Sequence, residues 1–326
     1  MTDAQQRTWQ QRDVEFTAGD VLLRGRLRTP ASAGPHPLVI LAHGLGGLKE
    51  WTIPDVATAL VDAGIAAMAF DYRNFGDSDG QPRDEIDHCG QIEDWRSAVT
   101  FATTLPEVDR DRIGVWGTSL GGRNVLALAA LDRRVACVLA QVPVIDILVP
   151  PGGDPADIGE LGAMVIGSDL GQFNQVLAQD RRDRALGEQP RYIEFGEADP
   201  STPAGSYKAT FGDEERRNDH ARVTLRSFEQ TLAHDIRHLV PLIAPTPLRM
   251  ILADQDTTCP FPIALEAYVS AREPKSLVVL PGHHYSLYTT WKDVAISVAR
   301  EFFVEHLTPQ NPNDPGGATS RSTATL

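Results

Sequence analysis

Cysteine is scarce in this chain. Cys89, Cys137 and Cys259 are the only three in 326 residues, too few and too scattered for a disulfide framework or a zinc cluster. A reducing compartment suits them best. Basic residues are also in deficit, 30 Lys and Arg against 44 Asp and Glu, for a formal net charge of −14. Nucleic-acid binding needs clustered cations to neutralise phosphates, so that class is set aside. No uninterrupted apolar run approaches the roughly 20 residues of a membrane span. The opening MTDAQQRTWQQRD carries no apolar signal core. A cytoplasmic protein without a membrane partner is therefore expected. No solenoid-type repeat is present.

What is present is an alternation of apolar runs. At this length the chain accommodates one large α/β domain with an insertion. Val14 to Thr17 and Val21 to Arg28 read as an opening hairpin across Ala18-Gly19-Asp20. Leu38 to Ala42, Ala66 to Phe70, Ile113 to Trp116 and Val135 to Ala140 read as buried strands. Between them, Ile53 to Ala63, the later part of Glu85 to Thr104, and Arg123 to Leu131 are helical in pattern, with Val108 to Arg112 as a turn. The alternation predicts a mostly parallel sheet with helices on both faces. It breaks at Pro150-Pro151-Gly152-Gly153 and resumes after Pro245 and Pro247. The expected division is thus a core over 13–149, an inserted helical lid over 150–244, the rest of the core over 245–307, and a disordered tail over 308–326. Within the lid, Leu170 to Ala185 and Asp213 to Val240 look helical, and the proline-bearing stretch between them carries no clear pattern. After it, Leu248 to Ala253 and Leu277 to Leu280 read as strands, Ile263 to Ala271 and Val294 to Leu307 as helices.

The most informative stretch is Gly117-Thr118-Ser119-Leu120-Gly121, a Gly-x-Ser-x-Gly between a predicted strand and a predicted helix. Two side-chain-free positions let the backbone turn sharply and hold Ser119 out at the tip. The helix that follows aims its free N–H groups and positive partial charge at the same place. A serine hydroxyl is a poor nucleophile at neutral pH and needs a base, with a third group to orient that base.

In an open parallel sheet such groups collect at the carboxyl ends of the strands. His43-Gly44-Leu45-Gly46-Gly47 follows the first buried strand, and its small residues let backbone N–H groups approach a substrate oxygen. The oxyanion hole is assigned to the N–H groups of Leu45 and Leu120; His43, which precedes the nucleophile, is read as shaping this loop. The exit Asp254-Gln255-Asp256-Thr257-Thr258-Cys259-Pro260 offers two carboxylates. Asp256 is preferred for its place four residues before Pro260, with Asp254 as a turn or capping residue. The last exit, Pro281-Gly282-His283-His284-Tyr285, offers two histidines, one as base and one as neighbour. A metal site would need partners at ligand spacing, and none stand close in sequence. Cys259 is read as a buried, inert thiol. The order serine, acid, histidine is that of an α/β-hydrolase.

At this point the chain resembles the α/β-hydrolase superfamily over roughly residues 13 to 307. HGLGGLKEW, FDYRNFGDSDG, GVWGTSLGG, VTLRSFE before IAPTPLRMILADQD, and AREPKSLVVLPGHHYSLY are similar to its dienelactone-hydrolase-like and polyketide-transferase-like branch. That branch places the base directly before an aromatic residue, commonly followed by Asp, an apolar residue and Tyr. The register implies His284 as the base over His283. Ser286 stands where acid is common, and His283 where glycine often is. The resemblance also implies that Asp71 and Arg73 fix the loop beside the site, while Trp116 packs under the elbow.

The expected function is cofactor-free and metal-free cleavage of a carboxylic ester, thioester or lactone through an acyl-enzyme. Ser119 attacks, His284 is the base, Asp256 orients it, and Ser119 Oγ stands within hydrogen-bond reach of His284. The partner is a small-molecule acyl substrate. An acyltransferase using the same residues, a C–C bond hydrolase, and a non-catalytic binding module are the rivals. No stretch specifies an oligomeric state.

Overall fold

The computed structural model describes residues 8–146, 170–194, 201–216, 220 and 222–308. The first half runs β1 (Trp9–Ala18), β2 (Val21–Pro30), β3 (His36–Ala42), α1 (Ile53–Asp62), β4 (Ala66–Phe70), α2 (His88–Ala102), β5 (Val108–Thr118), α3 (Leu120–Leu131) and β6 (Val135–Gln141). The second runs α4 (Leu170–Ala185), β7 (Tyr192–Glu194), α5 (Pro203–Ala209), α6 (Asp213–Arg216), β8 (Arg222–Thr224), α7 (Leu225–Ala233), β9 (Leu248–Ala253), α8 (Phe261–Ser270), β10 (Lys275–Leu280) and α9 (Lys292–Leu307). Among the described residues, eight strands form one sheet in the order β1-β2-β4-β3-β5-β6-β9-β10. The strands from β4 to β10 pair in parallel, and β1 and β2 add an antiparallel edge.

Side-chain alternation explains why helices cover both faces. Leu38, Ile40 and Ala42 of β3 join one buried cluster, Val39 and Leu41 the other, because successive strand side chains point to opposite faces. A strand apolar on both sides has to be covered on both sides. The first cluster takes side chains from α2, α3 and α8, the second from α1 and α9. Trp116 belongs to the second cluster, fully buried beneath the elbow. The outcome is the mostly parallel sheet with helices on both faces that the alternation predicts, in the α/β-hydrolase arrangement that the resemblance implies.

Two segments depart from the sequence-based expectation. Val108 to Arg112, read as a turn, forms the start of β5, and the pairing of β5 with β3 shifts register between His36 and Leu38. Asp213 to Val240, read as one helical region, is broken by β8, which pairs antiparallel with β7. The cause is local chemistry. Val223 and Thr224 are β-branched and fit a strand, and the Thr224 side chain accepts from the Ser227 N–H to cap α7. Of the expected lid, residues 150–169, 195–200, 217–219 and 221 lie outside the described residues, as does the expected tail beyond Thr308.

At the carboxyl edge of the sheet, two loops are locked to each other by a buried ion network. Asp71 accepts from the Lys49 N–H at 2.8 Å, from Lys49 Nζ at 2.7 Å and from the Asp77 N–H at 3.0 Å. Lys49 Nζ also reaches Asp77 Oδ2 at 2.6 Å. Burial alone would depress the lysine, but Asp71 and its neighbours hold it raised and charged. Arg73 is paired with the buried Asp94 at 2.7 Å. Lys49→Met keeps most of the volume but leaves Asp71, which is fully buried, without its counter-ion. A loss of about 3 kcal/mol in unfolding free energy is expected, measured by chemical denaturation with the denaturant slope unchanged.

Candidate active site

The elbow is built from backbone that tolerates no side chain at its flanks. A Cβ on Gly117 would run into the carbonyl of Gly121, and one on Gly121 into the carbonyl of His43. Ser119 itself sits at φ 55 and ψ −120, a strained conformation for a residue with a side chain. It is held there from three sides. Its N–H donates to Gln141 O at 2.8 Å, and its carbonyl accepts from Val144 and Arg123 N–H groups at 3.0 and 3.2 Å.

The loop after β3 lies directly against this turn. A Cβ on Gly44 would stand 2.9 Å from Ser119 Cβ. Leu120 opens α3, and Leu45 follows Gly44 in that loop. Among the described residues neither of their N–H groups has a hydrogen-bond acceptor. His43 is buried, with Nδ1 3.0 Å from the Gly44 carbonyl and its ring packed edge-on against Tyr72 at 4.9 Å. Burial lowers its pKa, so it is a neutral part of the loop wall.

Asp256 and His284 arrive from the ends of β9 and β10. His284 Nδ1 lies 2.8 Å from Asp256 Oδ2, and both side chains are buried. The other carboxylate oxygen, Oδ1, accepts from the Cys259 N–H at 2.7 Å, so the turn that leads into α8 also fixes the acid. The His284 turn is set by Ser286. The His283 N–H donates to Ser286 Oγ at 3.1 Å, and the Ser286 N–H returns a bond to the His283 carbonyl at 2.9 Å. Ser286, the departure from the family pattern, therefore shapes the backbone beneath the histidine. Burial opposes the charged imidazolium, but Cys259 and Asp256 outweigh it and raise the His284 pKa. The thiol of Cys259 is itself pushed up by burial.

The two residues passed over have other duties. Asp254 is exposed and accepts from the Gly282 N–H at 2.8 Å, tying the β9 and β10 exits together. His283 is half-buried, and among the described residues its Nδ1 is buried without a hydrogen-bond partner.

Cys259 is buried, as expected, but it stands at the site, a placement that the sequence does not reveal. Its Sγ lies 4.0 Å from Ser119 Oγ, and Asp256, Cys259 and His284 offer donor atoms all within 4.8 Å of one another. Partners at ligand spacing do exist, brought together in space by the turn after β9 rather than by proximity in sequence. The available signal was the Asp-x-x-Cys spacing, which lets a carboxylate cap the cysteine N–H. The expected Ser119–His284 hydrogen bond is not formed among the described residues; the hydroxyl rests against the thiol instead. Such contacts are often loose before substrate arrives.

A second contribution invisible in the sequence comes from the insertion. Tyr207 of α5 packs on Tyr288 at 5.1 Å and Tyr285 at 5.8 Å, and its hydroxyl meets Thr52 Oγ1 at 2.6 Å. Tyr288 in turn lies 5.7 Å from the His284 ring, with its hydroxyl 2.5 Å from Thr118 Oγ1. These tyrosines form an aromatic wall beside the histidine.

Comparison with known proteins agrees with this picture. The model of the alpha/beta hydrolase family matches residues 39–296. The polyketide transferase grgF of Penicillium sp is 33% identical over 83% of this chain and 87% of its own length. Its crystal structure, described as an alpha/beta hydrolase, superposes with a TM-score of 0.75 over 91% of this chain and 99% of that one, at 30% identity. The thiohydrolase aneE of Aspergillus aculeatus is 29% identical over 84% of this chain and 87% of its length. The quorum-quenching protein AidA of Acinetobacter baumannii is 43% identical over 134 residues, 41% of this chain, and the match spans less than half, 44%, of AidA. With a family model covering most of its length and full-length relatives on the same fold, the chain belongs to the alpha/beta hydrolase family.

Proposed function

We propose that this hydrolase is of the serine type and cleaves a carboxylic ester, thioester or lactone of a small molecule through an acyl-enzyme. The carrying observation is the buried His284–Asp256 hydrogen bond, 2.8 Å, beside a serine held at positive φ at the strand-to-helix turn. Ser119 attacks the carbonyl while His284 removes its proton. The imidazolium, stabilised by Asp256, then protonates the leaving group. The Leu45 and Leu120 N–H groups take the oxyanion, at roughly 3 to 4 kcal/mol for a well-placed donor. Tyr207, from the insertion, walls the acyl side of the site, a role supported by its packing against Tyr288. Three free cysteines fit work in a reducing, cytoplasmic compartment.

Acyl transfer to an alcohol or amine is the second reading, favoured by the full-length relative named a polyketide transferase. The chemistry up to the acyl-enzyme is the same. A panel of esters, acyl thioesters and lactones, run with and without candidate acceptors, separates the two by whether free acid or transferred product accumulates. No turnover of any acyl substrate and no labelling of Ser119 by a fluorophosphonate would sink both.

The raised His284 pKa has a defined sign in the rate. The base has to be neutral to accept the serine proton, so raising its pKa moves the ascending limb of kcat/KM to higher pH. That limb is expected above the value of about 6.5 for a free imidazole, with activity still climbing between neutral and alkaline pH. A limb at or below the free value would contradict the hold that Cys259 and Asp256 have on the imidazole.

A further inference from the structure

The acyl mechanism leaves the Cys259 thiol unused, although it stands beside both Ser119 and His284. We propose that Cys259 and His284 form a binding site for a thiophilic divalent cation of the zinc or cadmium kind, and that its occupation blocks the nucleophile. This inhibitory consequence rests on the serine-hydrolase reading; the site itself does not.

The argument starts from the donor set. A thiol sulfur, an imidazole nitrogen and a carboxylate oxygen lie within 4.8 Å of one another, and a hydroxyl oxygen lies 4.0 Å from the sulfur. Thiolate and imidazole are the preferred ligands of such cations, and tetrahedral bonding to them sets neighbouring donors about 3.5 Å apart. The sulfur and the Ser119 hydroxyl, 4.0 Å apart, therefore have to approach by about half an ångström to close on an ion. Both oxygens of Asp256 are already engaged, Oδ2 by His284 Nδ1 and Oδ1 by the Cys259 N–H. The carboxylate thus acts from behind, fixing each of the two ligands and leaving the other ring nitrogen of His284 as the donor. A carboxylate bound to the far nitrogen of a liganding histidine is the usual support of a metal site. Ser119 Oγ and water complete the coordination.

The binding step balances without redox chemistry. The cation takes the lone pair of the His284 nitrogen and of the Cys259 thiolate; the thiol proton, and the imidazolium proton where His284 is charged, go to solvent. With that nitrogen committed to the ion, His284 has no lone pair for the serine proton. Cys259 and His284 are both buried and Ser119 is partly exposed, so the ion enters along the path a substrate takes to Ser119.

The test titrates Cd2+ into the chelator-treated full-length protein and follows the ultraviolet thiolate-to-cadmium charge-transfer band. One equivalent of band is expected in the wild type and in Ser119→Ala. It should vanish in both Cys259→Ser and Cys259→Ala, and in His284→Ala the half-saturating concentration should rise about tenfold or more. Cys89, exposed and 3.1 Å from His234, is the competing Cys–His pair, so Cys89→Ser is the control and should retain the band. A band that survives loss of Cys259, or that follows Cys89, overturns the proposal, as does no band at all. In parallel, Zn2+ should slow fluorophosphonate labelling of Ser119 at least tenfold, reversibly with chelator, and leave labelling of Cys259→Ala unaffected. Labelling that is insensitive to an ion demonstrably bound at Cys259 overturns the inhibitory part. Failure of the chelated protein to label at all strikes the hydrolase reading alone, because the cadmium band still reports the site.

Discussion

Ser119→Ala is expected to lower turnover of whichever acyl substrate is found by about a thousandfold or more, with the protein folded as before. In the proposed mechanism the hydroxyl is the nucleophile, placed at the elbow beside the N–H groups of Leu45 and Leu120. Without that hydroxyl, water would have to be activated by His284 and placed by the same pocket, which is a poorer arrangement. The fold should not register the change. Ser119 is held through its backbone, by Gln141 O, Val144 N–H and Arg123 N–H, and among the described residues its hydroxyl makes only the 4.0 Å contact with Cys259. Thermal unfolding within about a degree of wild type, together with loss of fluorophosphonate labelling, is the expected pair of readings. Retained turnover in Ser119→Ala would point to the neighbouring Cys259 as a substitute nucleophile, and Ser119→Ala combined with Cys259→Ala separates that outcome.

How the site could be read so far from sequence, and where it could not, follows from the kind of interaction involved. Strands such as Leu38 to Ala42 are apolar on both faces and admit one reading, which is why the sheet was legible. The elbow was legible for the same reason: a turn that excludes every Cβ at Gly117 and Gly121 leaves its mark as glycine at fixed spacing. Asp256 and Asp254 could be ranked but not placed, because the distinction is one of direction. One carboxylate turns inward to His284, and the other outward to the Gly282 N–H. The burial of Cys259 was legible, but its place at the site failed to show for a deeper reason. Its proximity to Ser119 spans 140 positions of chain, and a thiol carries the same local pattern whether it lines a site or fills a core. Tyr207 failed likewise, since an aromatic in a short helix of the insertion gives no sign of the histidine turn it will pack near. The β7–β8 pair shows the opposite error, where a helical pattern spread over Asp213 to Val240 hid two β-branched residues that pair with a distant segment.

Asp256→Asn provides the sharper test of the site, because it changes one proton and almost no volume. The amide can still offer its oxygen to the Cys259 N–H, preserving the turn into α8. Its NH2 then faces His284 Nδ1 in place of the carboxylate, and a donor there forces the imidazole into the tautomer with its proton on the nitrogen needed by Ser119. The base is blocked, and the imidazolium loses the charge that stabilised it. A fall in kcat of about ten-thousandfold is expected near neutral pH. Raising the pH should not recover it, since the fault is the tautomer and not a proton that alkali would remove. Asp254→Asn is the matched control. That carboxylate is exposed and bonds only the Gly282 N–H among the described residues, so turnover within about threefold of wild type is expected. Reversal of the two results, with Asp254 essential and Asp256 dispensable, would remove Asp256 from the triad and with it the explanation offered for the raised His284 pKa.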